Sequence, residues 1–297
     1  MMVRLDMTAL KTLVRGVGVA ALVLALGALL APVTHADDAT VTKFEDDKGH
    51  AAYKGFEISG KYILTLENVR VEGSAVYWSQ VAQSWLITKE GAPRALVIGR
   101  NTRGVESVAS KFVLMREEGS RFISEKGELL KHPNFTVSGD SLQIFIEKKT
   151  YRLIPNPPLL GWLTRNDLLQ HTPEYATQSK EYTPDPELVK RLTKAAKERG
   201  ETTINIYFGS WCTACSRVLG RILRIEEMLQ ADGLNVTFKY YGFPEGRRQY
   251  RRDREWRNNR IKLLPTGVVR TNTRAGRIEG LDGWSRPEKA LLDRLGA

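Results

Sequence analysis

The sequence predicts a chain in two parts: a mostly antiparallel β sandwich or small barrel over 37–154, then an α/β domain over 185–297. Three observations carry this. Short alternating apolar runs bounded by turn residues fill the first part, with no strongly helical stretch between them. From Asp185 the apolar spacing lengthens to that of helices, and the elements follow the order α-β-α-β-α-β-β-α. Between the patterns stands Ile154-Pro155-Asn156-Pro157-Pro158, where proline removes ladder donors and ends the strand signal.

The 297 residues suffice for about two domains, and 42% hydrophobic with 27% charged residues is an ordinary globular composition. Segment 1–36 reads as a secretory signal: Arg4, Lys11 and Arg15 precede an apolar stretch from Val17 to Leu30, and Pro32-Val33-Thr34-His35-Ala36 offers cleavage after Ala36. Left uncleaved, the stretch and its flanks approach the roughly 20 residues that span a bilayer and would act as an anchor. Either way the expectation is an exported, periplasmic protein. The formal charge of +11 attracts acidic partners or anionic headgroups, and export argues against nucleic acid.

After a polar, acidic leader over 37–49, the strand signals include Tyr62–Leu66, Val76–Trp78, Trp85–Thr88 and Ala95–Ile98. The clearest is a hairpin, Phe135–Val137 and Leu142–Ile146 about Ser138-Gly139-Asp140-Ser141, a turn that wants glycine. This part offers no catalytic constellation. Asp46 with Asp47, and Glu117 with Glu118, are adjacent pairs that would point to opposite faces of a strand. Trp78 and Trp85 read as core, and His132 before Pro133 as a loop residue. Residues 155–184 read as a linker, with one short helix from Gly161 to Gln170 and no periodicity from His171 to Thr183.

In the second part, Asp185-Pro186 caps a helix carrying Leu188, Leu192 and Ala196 and stopped by Gly200. Thr202–Phe208 is a buried strand. Cys212 to Gln230 is a helix with Val218, Ile222, Ile225 and Leu229 on one stripe, ended by Gly233. Leu234–Tyr241 alternates as a strand, Glu245–Asn259 is a charged helix, and Thr266–Arg270 is a strand again. A hairpin at Thr273-Arg274-Ala275-Gly276 leads to Arg277-Ile278. The last helix starts at a capping box, Ser285-Arg286-Pro287-Glu288, and carries Leu291, Leu292 and Leu295.

The two cysteines of the chain lie in Trp211-Cys212-Thr213-Ala214-Cys215, after the buried strand and a Gly209-Ser210 turn. The first therefore stands at a helix N-terminus, where backbone N–H groups favour a thiolate, and the second lies one turn on along nearly the same face. That spacing closes a disulfide with little backbone movement. A structural zinc needs four ligands, and besides the thiols the processed chain holds only the scattered His50, His132 and His171, so no metal is expected. A redox pair is the economical reading.

Over about 185–297 the chain resembles the thioredoxin superfamily, on strand, Trp-Cys-x-x-Cys, helix and a downstream Leu264-Pro265-Thr266 before the third strand. The resemblance implies a central mixed sheet with helices on both faces and a cis-proline at Pro265 facing the cysteines. It further implies substrate contacts from Trp211, Leu264, Pro265 and Thr266. It makes Cys212 the nucleophile and Cys215 the residue that resolves a mixed disulfide, with no cofactor beyond that redox-active disulfide. Arg217, Arg221 and Arg224 follow at helical spacing as a solvated basic face. Two departures stand out. Ile206 occupies the position where many thioredoxins bury a carboxylate, and Thr213-Ala214 is neither the Gly-Pro of reducing members nor the Pro-His of strong oxidants.

Between Glu245 and Lys262 eight basic residues face three acidic ones. Arg247, Arg248, Arg251, Arg252 and Arg254 form a candidate docking patch for an acidic protein or anionic lipid, with Tyr250 and Trp256 as apolar anchors. Together these features lead to an exported thiol–disulfide oxidoreductase that reduces protein disulfides and is served by an upstream redox partner. Reduction is favoured because only 50 residues separate Cys215 from Pro265, too few for the helical insertion of the large oxidases. The alternatives are an oxidase or isomerase whose first domain dimerises, and an envelope adaptor with a static disulfide.

Overall fold

The period-two runs of the first part pair into three antiparallel sheets. The structure is a computed structural model, and it describes residues 53–116 and 119–296. The expectations for segment 1–36, the leader, Asp46, Asp47, His50, Glu117 and Glu118 fall outside these residues. In chain order the strands are β1 (Glu57–Ile58), β2 (Tyr62–Leu66), β3 (Val69–Arg70), β4 (Ser74–Ser79), β5 (Ser84–Lys89), β6 (Arg94–Gly99), β7 (Val105–Ala109), β8 (Val113–Met115), β9 (Arg121–Ile123), β10 (Leu130–His132), β11 (Thr136–Ser138), β12 (Ser141–Ile146) and β13 (Lys149–Pro155). One sheet has the order β1-β4-β5-β6-β7-β10, a second β11-β12-β13-β2-β3, and β8 pairs with β9.

Tight turns set the register of the second sheet. In the hairpin, Ser138 pairs with Ser141 and Gly139 takes φ +58°. Glu67-Asn68 and Glu147-Lys148 close two more two-residue turns with both residues at positive φ (51° and 68°; 49° and 65°), the type I′ pattern that follows strand twist.

The large sheets bury Leu64, Val76, Trp85, Ile87, Ile98, Phe135, Ile144 and Leu153 in one cluster. Alternate residues of the six-stranded sheet, Ala75, Tyr77, Leu86, Ala95, Val97 and Val108, belong to a different cluster, shared with the helices of the second part. The sheet is therefore buried on both faces. His132, expected in a loop, is instead the last residue of β10, where its Nε2 lies 2.8 Å from Ser107 Oγ on the paired strand β7.

The second part comprises β14 (Gly161–Leu163), α1 (Arg165–His171), α2 (Glu174–Glu181), α3 (Pro186–Arg199), β15 (Thr202–Phe208), α4 (Thr213–Ala231), β16 (Val236–Gly242), α5 (Arg247–Arg252), α6 (Arg254–Asn258), β17 (Thr266–Thr271), β18 (Ala275–Glu279), α7 (Gly280–Gly283) and α8 (Pro287–Leu295). Its sheet has the order β14-β16-β15-β17-β18, with β15 and β16 parallel and the other pairs antiparallel. The cap of α3 is the one expected: Asp185 accepts from the N–H groups of Glu187 and Leu188 at 3.0 and 3.2 Å.

Three segments differ from expectation. Residues 155–184, read as a linker with one short helix, hold the edge strand β14 and two helices. The capping box of Thr164 with Asp167 starts α1, and Tyr175 of α2 is fully buried. The charged helix over 245–259 is broken in two, because Asp253 leaves helical geometry (φ −60°, ψ 141°) to cap α6 through the Glu255 N–H. The box at Ser285 does not form. α7 precedes it, the Ser285 hydroxyl donates to Asp282 O at 2.8 Å, and α8 starts behind Arg286. Among the described residues no helix is long and apolar enough to cross a membrane.

Candidate thiol site

Strand β15 delivers the chain to the site. After Phe208, a Cβ on Gly209 would come within 2.6 Å of the Trp211 ring, so glycine lets that ring fold back over the turn. The Cys212 N–H donates to Gly209 O at 3.0 Å, and Cys212 takes extended geometry (φ −88°, ψ 116°) as the N-cap of α4. Its Sγ accepts from the Cys215 N–H at 3.3 Å, so a sulfur does the work usually given to a Ser or Asp oxygen.

The two thiols are unbridged and stand in opposite surroundings. Cys212 is partly exposed and Cys215 fully buried. A hydrogen bond from the Cys215 thiol holds the Cys212 thiol below its ordinary range. The backbone N–H groups of Cys215 and Ala214 and the charge of Lys61 add to this against the opposing effect of burial. Burial pushes Cys215 well up, and the Cys212 sulfur adds to the rise through hydrogen bond and charge. Of the two sulfurs Cys212 is therefore the first to ionise, and Cys215 keeps its proton longer.

Three walls surround this pair. Beneath it, the buried Tyr175 hydroxyl lies 3.5 Å from Ser216 Oγ, which donates to Cys212 O at 3.3 Å; burial raises the Tyr175 phenol, and both cysteines contribute further. On one side, Trp211 donates to Phe243 O at 2.9 Å and stacks on Tyr250, with ring centroids 5.7 Å apart. Tyr250 contacts Trp256, Trp256 contacts Phe243, and Phe243 contacts Tyr241. Leu264 packs against both this aromatic cluster and the large aliphatic one that Cys212 also touches. The Leu264–Pro265 bond is cis, and Pro265 O accepts from the Gly280 N–H at 2.8 Å.

The third wall comes from the first part of the chain. A Cβ on Gly60 would lie 2.5 Å from Ser210 O and 3.2 Å from Thr172 Oγ1, so the β1–β2 connection presses on the turn before Cys212. The next residue, Lys61, pairs with Glu245 at 2.6 Å, and Ser210 Oγ accepts from the Leu159 N–H at 3.0 Å.

Of the expected site residues, Cys212, Cys215 and Trp211 share the turn at the start of α4, while Leu264, before the cis-proline Pro265, packs against the cluster that Cys212 touches and the one that holds Phe243. Thr266 is wholly buried: its hydroxyl donates to Leu263 O at 2.6 Å and its backbone is paired with Tyr207 and Glu279, while Leu263 is 57% exposed at the rim. Arg217, Arg221 and Arg224, expected as a solvated face, are engaged by the protein: Arg217 is paired with Glu57, Arg221 donates to Ser285 O, and Arg224 pairs with Glu227. Gly60, Lys61 and Tyr175 are residues that sequence reasoning missed. Nothing in a Gly-Lys dipeptide between two short strands marks it as a neighbour of a site some 150 residues away. Among the described residues no group of three His, Cys, Asp or Glu side chains could hold a metal. No family model, no curated protein and no solved structure matches the chain.

Proposed function

We propose that the protein is a thiol–disulfide oxidoreductase acting outside the cytoplasm, and that residues 185–297 form a thioredoxin-like module extended by the edge strand β14. The observation that carries this reading is the contrast between the sulfurs: one partly exposed, hydrogen-bonded by backbone N–H at a helix start and held below the ordinary thiol range, the other buried and pushed up. The partly exposed sulfur attacks as its thiolate, and the buried thiol waits.

In the reducing direction, the Cys212 thiolate attacks one sulfur of a substrate disulfide. A Cys212–substrate bond forms, the substrate S–S bond breaks, and the departing sulfur leaves as a thiolate that takes a proton from water. Cys215 then loses its proton and attacks Cys212 Sγ. That step releases the second substrate thiolate and leaves a Cys212–Cys215 disulfide, two electrons having passed to the substrate. An upstream dithiol restores the pair. Loss of the negative charge at Cys212 in the mixed disulfide removes one of the causes that raise Cys215, so the second step is favoured by the first. With Ile206 at the position where many thioredoxins bury a carboxylate, proton removal from Cys215 falls to water.

The test is trapping. Cys215→Ser should accumulate mixed disulfides through Cys212, and Cys212→Ser should accumulate none. Should the Cys215→Ser variant stay free of adducts while Cys212 resists alkylation after mild reductant, a static structural pair would replace this reading.

A further inference from the structure

We propose that the exposed arginine face of α5 and α6 docks an acidic segment of the polypeptide whose disulfide Cys212 attacks; the inference rests on the oxidoreductase reading and adds the class of substrate.

The observation is where the charges of 245–262 go. The three acids are consumed by the protein: Glu245 by Lys61, Asp253 by the Tyr241 hydroxyl and the Glu255 N–H, and Glu255 by the Tyr207 hydroxyl and the Asn259 amide. The cations are not. Arg247, Arg248, Arg251, Arg252, Arg254 and Arg257 are all exposed, and among the described residues none of them has an ion-pair partner. A run that looks partly neutralised in the sequence thus presents an almost purely cationic outer face.

That face is also held in place. Tyr250 and Trp256, on the inner side, contact each other at 4.6 Å and seat on Trp211 and Phe243, which fixes the arginines relative to Cys212. Whatever the face holds therefore lies on the flank of Trp211, the residue before Cys212. A polypeptide can present a disulfide there, whereas a lipid headgroup has none to present, so the observations favour an acidic polypeptide. The same cations would raise the local concentration of an anionic substrate and speed its encounter.

Two disulfide-bridged reporter peptides identical but for Glu or Lys flanks would be compared by kcat/KM for reduction. The full chain should prefer the acidic peptide by about tenfold at low salt, and the preference should shrink as ionic strength rises. Arg251→Glu with Arg252→Glu and Arg254→Glu should invert it, so that the lysine peptide is reduced faster; a misfolded protein could not gain that activity. A matching Arg→Gln triple should fall between. Fluorescence anisotropy with a cysteine-free acidic peptide reads docking without chemistry, and binding abolished by the reversals with neither peptide reduced would sink the oxidoreductase reading while upholding the surface. Equal rates for both peptides in the unmodified protein, or a preference untouched by the reversals, would overturn the proposal. So would sedimentation with phosphatidylglycerol vesicles when the acidic peptide fails to bind.

Discussion

The two faces of the C-terminal sheet are built for different purposes. One buries Ile204, Ile206, Phe208, Val236 and Tyr240 in a deep cluster with α3, α4 and α8, continuous with the six-stranded sheet of the first part. The other carries Tyr207, Phe243 and Val268 with Tyr241, roofed by the short α5–α6 segment through Tyr250 and Trp256. The aliphatic face spends its apolar area on stability. The aromatic face is thin, and because its roof supports little, the roof is free to carry charge. The thiol site lies on the seam, with Cys212 in contact with the first cluster and Trp211 stacked on the roof of the second.

Truncation on each face gives the largest test of this difference. Phe208→Ala should cost about 3–5 kcal/mol in urea unfolding, as for other fully buried aromatics. Trp256→Ala, only partly buried, should cost about 1–2 kcal/mol and should lose hydrogen-exchange protection over 247–258 alone. Equal costs would mean the faces are alike.

Next comes the seam itself. Gly60→Ala forces a Cβ against the Ser210 carbonyl, a backbone atom that cannot swing aside, and should cost about 1–3 kcal/mol. Alkylation of Cys212 should change with it, because the same contact sets the turn that places the sulfur; an unchanged alkylation rate would show that the first part merely abuts the site.

The pH dependence of the reduced protein should show the two sulfurs acting in opposite senses. Cys212, lowered in the fold, contributes stability present above the unfolded thiol's pKa and lost as pH falls through its lowered value. Cys215, raised in the fold, contributes stability present below the unfolded pKa and lost as pH climbs toward its raised value, by at most about 1.4 kcal/mol per pH unit. Stability from this pair should therefore peak near pH 8.5, the ordinary range of a free thiol. Subtracting the curve of Cys215→Ala from that of the reduced protein should leave a decline above the peak, and a flat difference would contradict the burial of Cys215.

The smallest effect belongs to the roof. Reversing Arg251, Arg252 and Arg254 should change the free energy of urea unfolding by no more than about 0.5 kcal/mol, since none of them holds an ion-pair partner among the described residues. A larger loss would make the arginines part of the scaffold.

Much of the second part was legible because local signals and tertiary packing agree there. Asp185-Pro186, the apolar strand over 202–208 and the stripe on α4 each specify one element without help from elsewhere. The first part was legible as strands but not in its packing. Ala75-Val76-Tyr77-Trp78 reads as apolar throughout, and only the second half of the chain explains why both faces of that strand are covered. The turns at Glu67-Asn68 and Glu147-Lys148 hide their positive φ because neither contains glycine. In 155–184, the three-residue strand β14 is too short to show alternation, and α2 buries only Tyr175 and Ser179 among polar neighbours. The break in the arginine segment follows from the competition of the Asp253 side chain for backbone N–H groups, a choice that helix propensity summed over the window does not register.

The double burial of the six-stranded sheet also sets an order of events during synthesis. Phe56, Tyr77, Leu86 and Val97 are made well before α4, the helix that shares their cluster. At roughly 5–20 residues per second, the ribosome leaves that face uncovered for on the order of ten seconds. Over that interval the nascent sheet has one finished side and one adhesive side, and its fate depends on what shields the latter until α4 emerges.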